Sequence, residues 1–259
     1  MSPTTLTLFE DYPKKIPAYK EHRDALYQLR ELIGNANFSL QEEGILTIKH
    51  YVGFFQSGAT RIQVLPKVYA TTAPPQLATL EAADALHFVY QLLATSQYFK
   101  IKKLPPQWQG ATTTDLLELF IEIFIDEFLR QFRKSVHRNY VQQEGNQAFI
   151  KGKIMVAETL RHNPILKHLH YVRYDDYTIN NPLNRIFKFL ILSLLNKTNV
   201  ANNKKKLIIG LSYLQQVDSI ALTKEHFNQI KFNRLNNNNE ALFHLAQLIY
   251  HQLKPRLHS

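Results

Sequence analysis

Cysteine is absent from this chain of 259 residues, which excludes disulfide bonds and thiolate metal sites and is typical of a reducing compartment. Long apolar runs are absent too, since no uncharged segment reaches the roughly 18 to 20 residues that a membrane-spanning helix requires. Residues 1–15 lack the charged start and apolar core of a signal peptide. We therefore expect a cytoplasmic protein that makes no contact with a membrane.

Two common catalytic motifs are also missing. No GxxxxGK[ST] sequence occurs, so we expect no nucleotide hydrolysis by this chain alone, and HExxH is absent as well. His168 and His170, with His162 nearby, have a spacing that could ligate a metal, but such side chains also line one solvated face of a strand. We expect the chain to bind neither a metal nor a cofactor of its own.

Acidic residues are fewer than basic ones. The chain has 31 Lys and Arg against 21 Asp and Glu, a formal net charge of +10. This balance favours an acidic partner, either nucleic acid or an acidic protein surface, and charge alone does not choose between them. With 45% hydrophobic residues the chain has the composition of a globular protein long enough to bury a sizeable core.

The apolar pattern predicts an α+β fold. Residues 38–68 alternate with a period of two and are interrupted at Glu42-Glu43-Gly44 and Gln56-Ser57-Gly58, which predicts a small antiparallel meander. Beyond it the pattern is mainly helical. We predict an N-terminal β-rich unit over residues 1–75 and a mostly helical domain over residues 76–259 with short strands near 141–153 and 169–179.

Boundaries of several helices can be predicted from their flanking residues. Asp115, with Glu118 three residues later, fits an N-cap and capping box, and the apolar run behind it predicts a helix to about residue 140. Residues 202–206 are polar and basic, which predicts a loop. Further helices are predicted over residues 18–33, 77–98, 183–195, 207–216 and 240–253.

Residues 148–187 are the densest mixture of apolar, basic and turn-forming residues. Gly152, between Lys151 and Lys153, permits a left-handed or closely packed backbone. A polar turn is predicted before the helix that starts near residue 183, formed by Asp175, Asp176, Asn180, Asn181 and Pro182.

Three blocks of sequence carry a resemblance to a known family. They are YVGFFQSGATRIQVLPKV (51–68), LLELFIEIFIDEFLRQFRKSVHRNYV (116–141), and FIKGKIMVAETLRHN with RYDDYTINNPLNRIFK (149–163 and 173–188). In this order they resemble McrC, the non-ATPase partner in the McrBC modification-dependent restriction systems, and RLNNNNEALFHLAQLIY (234–250) extends the likeness. The central signature falls here on Gly152, Arg173, Asp175, Asp176, Asn181, Pro182, Asn184 and Arg185.

The resemblance implies a subunit of a 5-methylcytosine-directed DNA restriction complex. In the family, an N-terminal stalk enters the central pore of a ring of the AAA+ GTPase McrB and stimulates GTP hydrolysis, so GTP and Mg2+ are expected in the partner complex. By this resemblance the hairpin of residues 51–67 is the expected contact, through Tyr51, Phe54, Arg61, Gln63 and Lys67. The alternative is that the apolar members are core residues of the meander and the charged ones are solvated.

The same family carries a PD-(D/E)xK nuclease site, in which acidic residues hold Mg2+ and a lysine assists the attacking water. The blocks matched here end before that region, so we expect the nuclease centre to be absent from this chain. The pair Asp175-Asp176 is followed by no (D/E)xK in a strand, and we interpret it as a turn and helix-cap pair.

A cluster of basic residues between positions 130 and 173 is a second candidate site. If the side chains share a face, they form a basic track for phosphates whose affinity falls steeply with salt. The alternative is that several pair with Glu158, Asp175 or Asp176 inside the fold. The predicted nucleic-acid contacts are Arg133, Lys134, Arg138, Lys151, Lys153 and Arg161.

Two functions therefore stand at this point. The first is a McrC-like subunit that docks on an McrB-type GTPase ring, stimulates it and couples it to DNA cleavage. The second is a sequence-independent nucleic-acid-binding module that uses the basic track. The sequence contains no recognisable nuclease or NTPase motif that would make the chain an enzyme by itself.

Overall fold

The computed structural model describes residues 4–67, 78–95, 115–166, 168–232 and 237–253. The boundary predicted near residue 75 and the connector around residues 100–110 lie outside these ranges. The strands are β1 (Thr4–Phe9), β2 (Lys14–Lys15), β3 (Phe38–Leu40), β4 (Ile45–Ile48), β5 (Gly53–Ser57), β6 (Thr60–Leu65), β7 (Asn139–Gln147), β8 (Lys153–Ile154) and β9 (His170–Thr178). The helices are α1 (Arg23–Ile33), α2 (Ala78–Thr95), α3 (Leu116–Lys134), α4 (Val156–His162), α5 (Pro182–Leu195), α6 (Ala201–Ser212), α7 (Lys224–Asn228) and α8 (Glu240–Leu253).

The predicted α+β class is confirmed, with two small sheets in the N-terminal part. One has the strand order β2-β4-β3 and is antiparallel throughout. The other has the order β1-β6-β5, in which β5 and β6 form the predicted antiparallel hairpin and β1 runs parallel to β6. The hairpins predicted as one meander therefore lie in different sheets, since β6 takes β1 as its second neighbour.

Strand β6 is the centre of the N-terminal part because both of its faces are covered. Ile62 and Val64 belong to a core shared with α1, whereas Leu65 belongs to the core formed by the helices. Phe54 and Phe55 of the neighbouring strand divide between the same two cores. All six residues of β6 are therefore buried, including the polar residues Thr60, Arg61 and Gln63.

Helix α3 is the central helix of the remainder, and its first half is buried on nearly all sides. Asp115 is its N-cap, as predicted, and accepts a hydrogen bond of 2.9 Å from the Leu117 amide. The predicted capping box is wrong, because the buried Glu118 carboxylate instead accepts hydrogen bonds from Thr198, Asn199 and Asn203. The helix ends at Lys134 rather than near residue 140.

Two other predictions differ from the structure. Residues 202–206 belong to α6, and Asn203 is buried there because it donates to Glu118. Asp175 and Asp176 lie within β9, so the prediction of a turn and helix-cap pair is wrong. The strand continues to Thr178 because all nine of its residues pair with β7. The cap before α5 is Asn181 alone, whose side chain accepts a hydrogen bond from the Asn184 amide at 3.1 Å.

Two further features are absent from the described ranges. No helix there is long and apolar enough to cross a bilayer. No group of three His, Asp or Glu side chains in the same ranges is arranged to hold a metal ion.

Candidate functional site

The residues predicted to contact a partner from the hairpin of residues 51–67 are largely buried. Phe54 and Gln63 are 0% exposed and Arg61 is 1% exposed. The turn at Gly58 is exposed, but the strands behind it form the wall between the two cores. The prediction that this hairpin projects into solvent is therefore wrong.

Buried partners explain why polar residues occupy this strand. Arg61 donates to the Asp115 carboxylate and, at 3.2 Å each, to Gln56 Oε1 and the Lys197 carbonyl oxygen. Gln63 Oε1 accepts a hydrogen bond of 2.8 Å from the Leu116 amide at the start of α3. These polar side chains join the sheet to the start of α3 and to the segment that follows α5, so alternation with polar residues does not mark a solvent face here.

Tyr51 and Lys67, at the two ends of the hairpin, have structural partners as well. The Tyr51 hydroxyl donates to Gln252 Oε1 of α8 at 2.6 Å, and burial raises the pKa of Tyr51. Lys67 remains exposed and forms an ion pair of 2.9 Å with Asp11. The hydrogen bond between them lowers the pKa of Asp11 and raises that of Lys67. Of the five predicted contacts, only Lys67 presents an exposed side chain.

The sheet β7-β9-β8 with α4 is much more exposed than this hairpin. We call it the finger, residues 139–166 and 168–178. Its strands β7 and β9 pair over nine residues, a length of about 30 Å. Along β7 the side chains alternate between half-buried and exposed, and Val172 is the buried residue of β9. The strands and the helix of the finger pack mainly against one another, so the finger extends away from the helical core.

The base of the finger is fastened to α5 by two buried asparagines. The Asn184 side-chain amide donates to the carbonyl oxygens of His137 and Ile179, at 2.8 Å each. Asn181 donates to Ile179 at 3.1 Å while capping α5. Since His137 precedes β7 and Ile179 follows β9, both ends of the finger are held by one helix start. This arrangement accounts for the signature residues Asn181 and Asn184.

A second set of contacts, which is more exposed, also stabilises the base of the finger. Arg185 Nε donates to Asn180 Oδ1 at 2.8 Å, and its guanidinium also lies 3.2 Å from the Asp218 carboxylate. Asn180 completes the triangle by donating to Asp218 at 2.6 Å. Pro182 occupies the first turn of α5, where a missing amide hydrogen has no cost. The motif NNPLNR thus anchors the finger to α5, and we call it the anchor.

Halfway along the finger, Gly152 allows a close crossing of the chain. Its φ is +73°, and a Cβ atom there would lie 2.4 Å from the Arg173 carbonyl oxygen, so the predicted need for glycine is confirmed. The turn places Lys151 Nζ 4.2 Å from the centre of the Tyr174 ring and 3.3 Å from Asp176. Arg173 pairs with Glu144 across the strands.

The predicted nucleic-acid contacts do not form one track. Lys153 pairs in register with Arg173, whereas Lys151 lies over Tyr174, and consecutive strand residues point to opposite faces. Lys151 also forms an ion pair with Asp176, one of the acids named in the alternative, but this pair is exposed and does not lie inside the fold. All six residues are exposed. Arg133, Lys134 and Arg138 lie near the base of the finger, Lys151 and Lys153 lie at its middle, and Arg161 lies on α4.

The outer end of the finger carries an apolar surface. Asn163 holds this end together, since its side chain donates to Asn146 Oδ1 at 2.6 Å and to the Leu169 carbonyl oxygen at 3.2 Å. His162 stacks on Tyr171 with ring centres 5.3 Å apart. Exposed fractions reach 72% for Leu160 and 86% for Ile165. We call the following residues the tip: Phe149, Ile150, Val156, Leu160, Ile165 and Leu166.

Sequence reasoning missed this surface because it took the apolar hairpin for the projection. A signal was available in β7, because almost no apolar residue occurs on either face of the strand sequence NYVQQEGNQ. A strand without an apolar face cannot join a core and must stand outside one. The apolar residues that follow it are then left without a core to enter.

Comparisons with known proteins agree with this architecture. A family model described as "McrBC 5-methylcytosine restriction system component" matches residues 46–259. A chain in the cryo-EM structure of the Thermococcus gammatolerans McrBC complex is similar with a TM-score of 0.62 and 25% identity, over 94% of this chain and 80% of that one.

A second structure is a half-complex from the tetradecameric assembly of Thermococcus gammatolerans McrB AAA+ hexamers with bound McrC. It contains a chain similar to this one with a TM-score of 0.65 and 25% identity. The match covers 94% of this chain but 64% of that chain, so this chain spans less than two thirds of that relative. No curated protein sequence matches the chain.

Proposed function

The chain belongs to the family of McrBC 5-methylcytosine restriction system components, and from this premise we propose that it docks on an McrB-type AAA+ GTPase ring and stimulates GTP hydrolysis. It is a McrC-like restriction subunit. In the proposed function it acts in the cytoplasm and couples the ring to cleavage of DNA carrying 5-methylcytosine.

One observation carries the proposal: the finger is the part of the described structure with the geometry to enter a ring. It is about 30 Å long, stands outside the core and ends in apolar side chains. The similar structure that contains McrB AAA+ hexamers with bound McrC supports a hexameric ring as the partner.

The tip supplies the binding surface in this proposal. Exposed apolar residues gathered at one end of an element mark a protein contact more often than scattered ones do. Binding energy at such contacts is concentrated in a few side chains that become fully buried. Leu160 and Ile165 are the most exposed apolar residues of the tip and are therefore the expected anchors.

The anchor holds the finger rigidly on the helical core, as a ring activator requires. Asn181 and Asn184 join both ends of the finger to α5, and Arg185 braces them through Asp218. A finger held in this way can transmit the position of the ring to the helical core. GTP and Mg2+ belong to the partner in this scheme, and the residues of this chain act by position alone.

The experiment that tests the proposal measures GTP turnover by the cognate McrB-type GTPase, with and without this chain and without DNA. Stimulation that rises with the concentration of the chain and saturates is the expected result. Unchanged turnover, together with no co-elution of the two proteins, contradicts the proposal.

A second candidate function is sequence-independent nucleic-acid binding at the base of the finger. Arg133, Lys134 and Arg138 are exposed there, and within the described ranges they enter none of the ion pairs. Such a site gives binding to duplex DNA that falls steeply with salt while GTP turnover stays unchanged. That pair of results would favour this candidate over the first.

A further inference from the structure

A groove in the N-terminal part lies away from the residues assigned above. It opens between the 3-10 turn Tyr19–His22, helix α1 and strand β3, and its volume is about 650 Å3. This size falls within the roughly 300 to 1,000 Å3 of pockets that enclose a small ligand or one or two residues of a polymer. None of the predicted contacts lines it.

Its charged lining is of one sign. Lys20, Arg23 and Arg30 line the groove, and no carboxylate side chain does so among the described residues. Arg23 and Arg30 are seven residues apart on α1, which places them on one face at a distance of about 10 Å along the axis. The groove therefore offers positive charge and donors to an anionic ligand.

Its apolar lining is aromatic. Tyr27 is 48% exposed, and the Arg30 guanidinium carbon lies 4.8 Å from the centre of its ring. Tyr19 is fixed, because its hydroxyl donates to the Glu42 carbonyl oxygen at 3.0 Å and its ring lies against Gly44. Phe38 of β3 lines the same groove. An open ring backed by a guanidinium is a stacking surface for a flat, electron-rich group.

We propose that this groove binds a short stretch of single-stranded nucleic acid, with phosphates at Lys20, Arg23 and Arg30 and a base stacked on Tyr27. The combination of aromatic and basic lining is the one that strand-binding proteins use, whereas a metal ion or an acidic peptide would not use the stacking surface. The spread of cations along α1 matches phosphates that follow one another along a strand. The inference extends the proposed function, because a restriction complex that acts on DNA presents such strands when a duplex is opened or cut.

The test measures fluorescence anisotropy of a labelled 12-nucleotide DNA strand titrated with the whole chain, without the GTPase. We expect saturable binding that weakens as the salt concentration rises, because binding releases counterions from the strand. Unlabelled strand should compete, and GTP at the same nucleotide concentration should compete poorly. If GTP displaces the strand equally well, the groove is a site for free nucleotide and the proposal is wrong.

Variants then locate the binding. Tyr27→Ala should weaken it by roughly 5- to 150-fold, the range for loss of one stacked base, while Tyr27→Phe should retain it. Arg23→Ala should reduce the slope of log affinity against log salt by about 0.7, the value for one phosphate contact on a single strand. Lys15→Ala and Lys49→Ala remove exposed cations of the same unit that do not line the groove, and they should change little.

Two results with the variants would also overturn the proposal. One is strand binding that survives Tyr27→Ala together with Arg23→Ala. The other is binding abolished by Arg133→Ala and Lys134→Ala, which would place the strand at the base of the finger. A circular dichroism spectrum and melting temperature for each variant show whether it is folded. Because no GTPase is present, failure here leaves the proposed docking function to its own test, and the reverse also holds.

Discussion

Asn184 and His137, which are 47 positions apart, meet through a hydrogen bond of 2.8 Å from the Asn184 side-chain amide to the His137 carbonyl oxygen. A matching bond of 2.8 Å joins the same amide to Ile179. One side chain thus closes the base of the finger, where the chain leaves the helical core and where it returns. The finger's position relative to the core depends on this contact.

Asn184→Ala should therefore weaken the anchor between the finger and α5. The change removes the 2.8 Å hydrogen bonds to the His137 and Ile179 carbonyl oxygens, which keep only the longer bonds from Asn181. The expected cost is about 0.5 to 1.5 kcal/mol for each lost bond. Faster proteolysis within the finger and a lower urea midpoint are expected, with weaker stimulation of the GTPase. Asn196→Ala, an exposed asparagine at the end of α5, is the matched control and should behave like the unmodified chain.

Gly152→Ala should disturb the middle of the finger. The new Cβ atom would lie 2.4 Å from the Arg173 carbonyl oxygen, in a backbone conformation with φ +73° that costs other residues about 1 to 3 kcal/mol. Hydrogen exchange at β8 and β9 should accelerate. Gly145→Ala in β7 meets nothing within 4 Å and should leave exchange unchanged. Equal behaviour of the two variants would show that the crossing at Gly152 is not tight.

Arg61→Ala tests whether the hairpin of residues 51–67 is a wall or a projection. Removal of a buried cation leaves Asp115 unpaired and should destabilise the whole chain by about 3 to 5 kcal/mol, seen in urea unfolding. Lys67→Ala breaks an exposed pair and should cost about 0 to 1 kcal/mol. A stable Arg61→Ala chain that fails only to stimulate the GTPase would restore the hairpin as the partner contact.

The tip should matter for docking and not for folding. Ile165→Asp combined with Leu160→Asp replaces exposed apolar side chains, so the melting temperature should stay within a few degrees of that of the unmodified chain. Stimulation of the GTPase should fall at least about tenfold if these residues anchor the contact. Ile208→Asp on α6, where Ile208 is 57% exposed, is the control for adding charge elsewhere. Full stimulation by the double variant would exclude the tip.

His137 should contribute to the pH dependence of stability. Burial lowers the pKa of His137 below its ordinary value near 6.5. As pH falls through about 6.5 the unfolded state takes up the proton first, so the folded state loses stability until the lower, folded pKa is passed. His137→Gln keeps the backbone carbonyl that Asn184 holds. The variant should therefore lose less stability than the unmodified chain between pH 7.5 and 5.5, measured by urea unfolding.

His168→Gln is the control for that comparison, because His168 is an exposed histidine of the same finger. It should reproduce the pH dependence of the unmodified chain. If both variants lose stability equally with falling pH, His137 does not carry the effect.

Local patterns were enough to identify the elements and the family. Period-two alternation predicted the β5-β6 hairpin, the apolar run after Asp115 predicted α3, and the residues around Asn181 and Pro182 predicted the start of α5. The need for glycine at position 152 also followed from the sequence. These inferences succeed because propensity, capping and turn chemistry act over a few residues.

The tertiary structure alone decided which hairpin is buried and which projects. Arg61 and Gln63 resemble solvent-facing residues in the sequence, but Asp115 and Leu116 supply partners from over 50 positions away. Asp175 and Asp176 resemble a turn, but pairing along the whole of β9 extends the strand through them. Burial depends on which segments meet, and contacts between distant segments leave no periodic signal in either one.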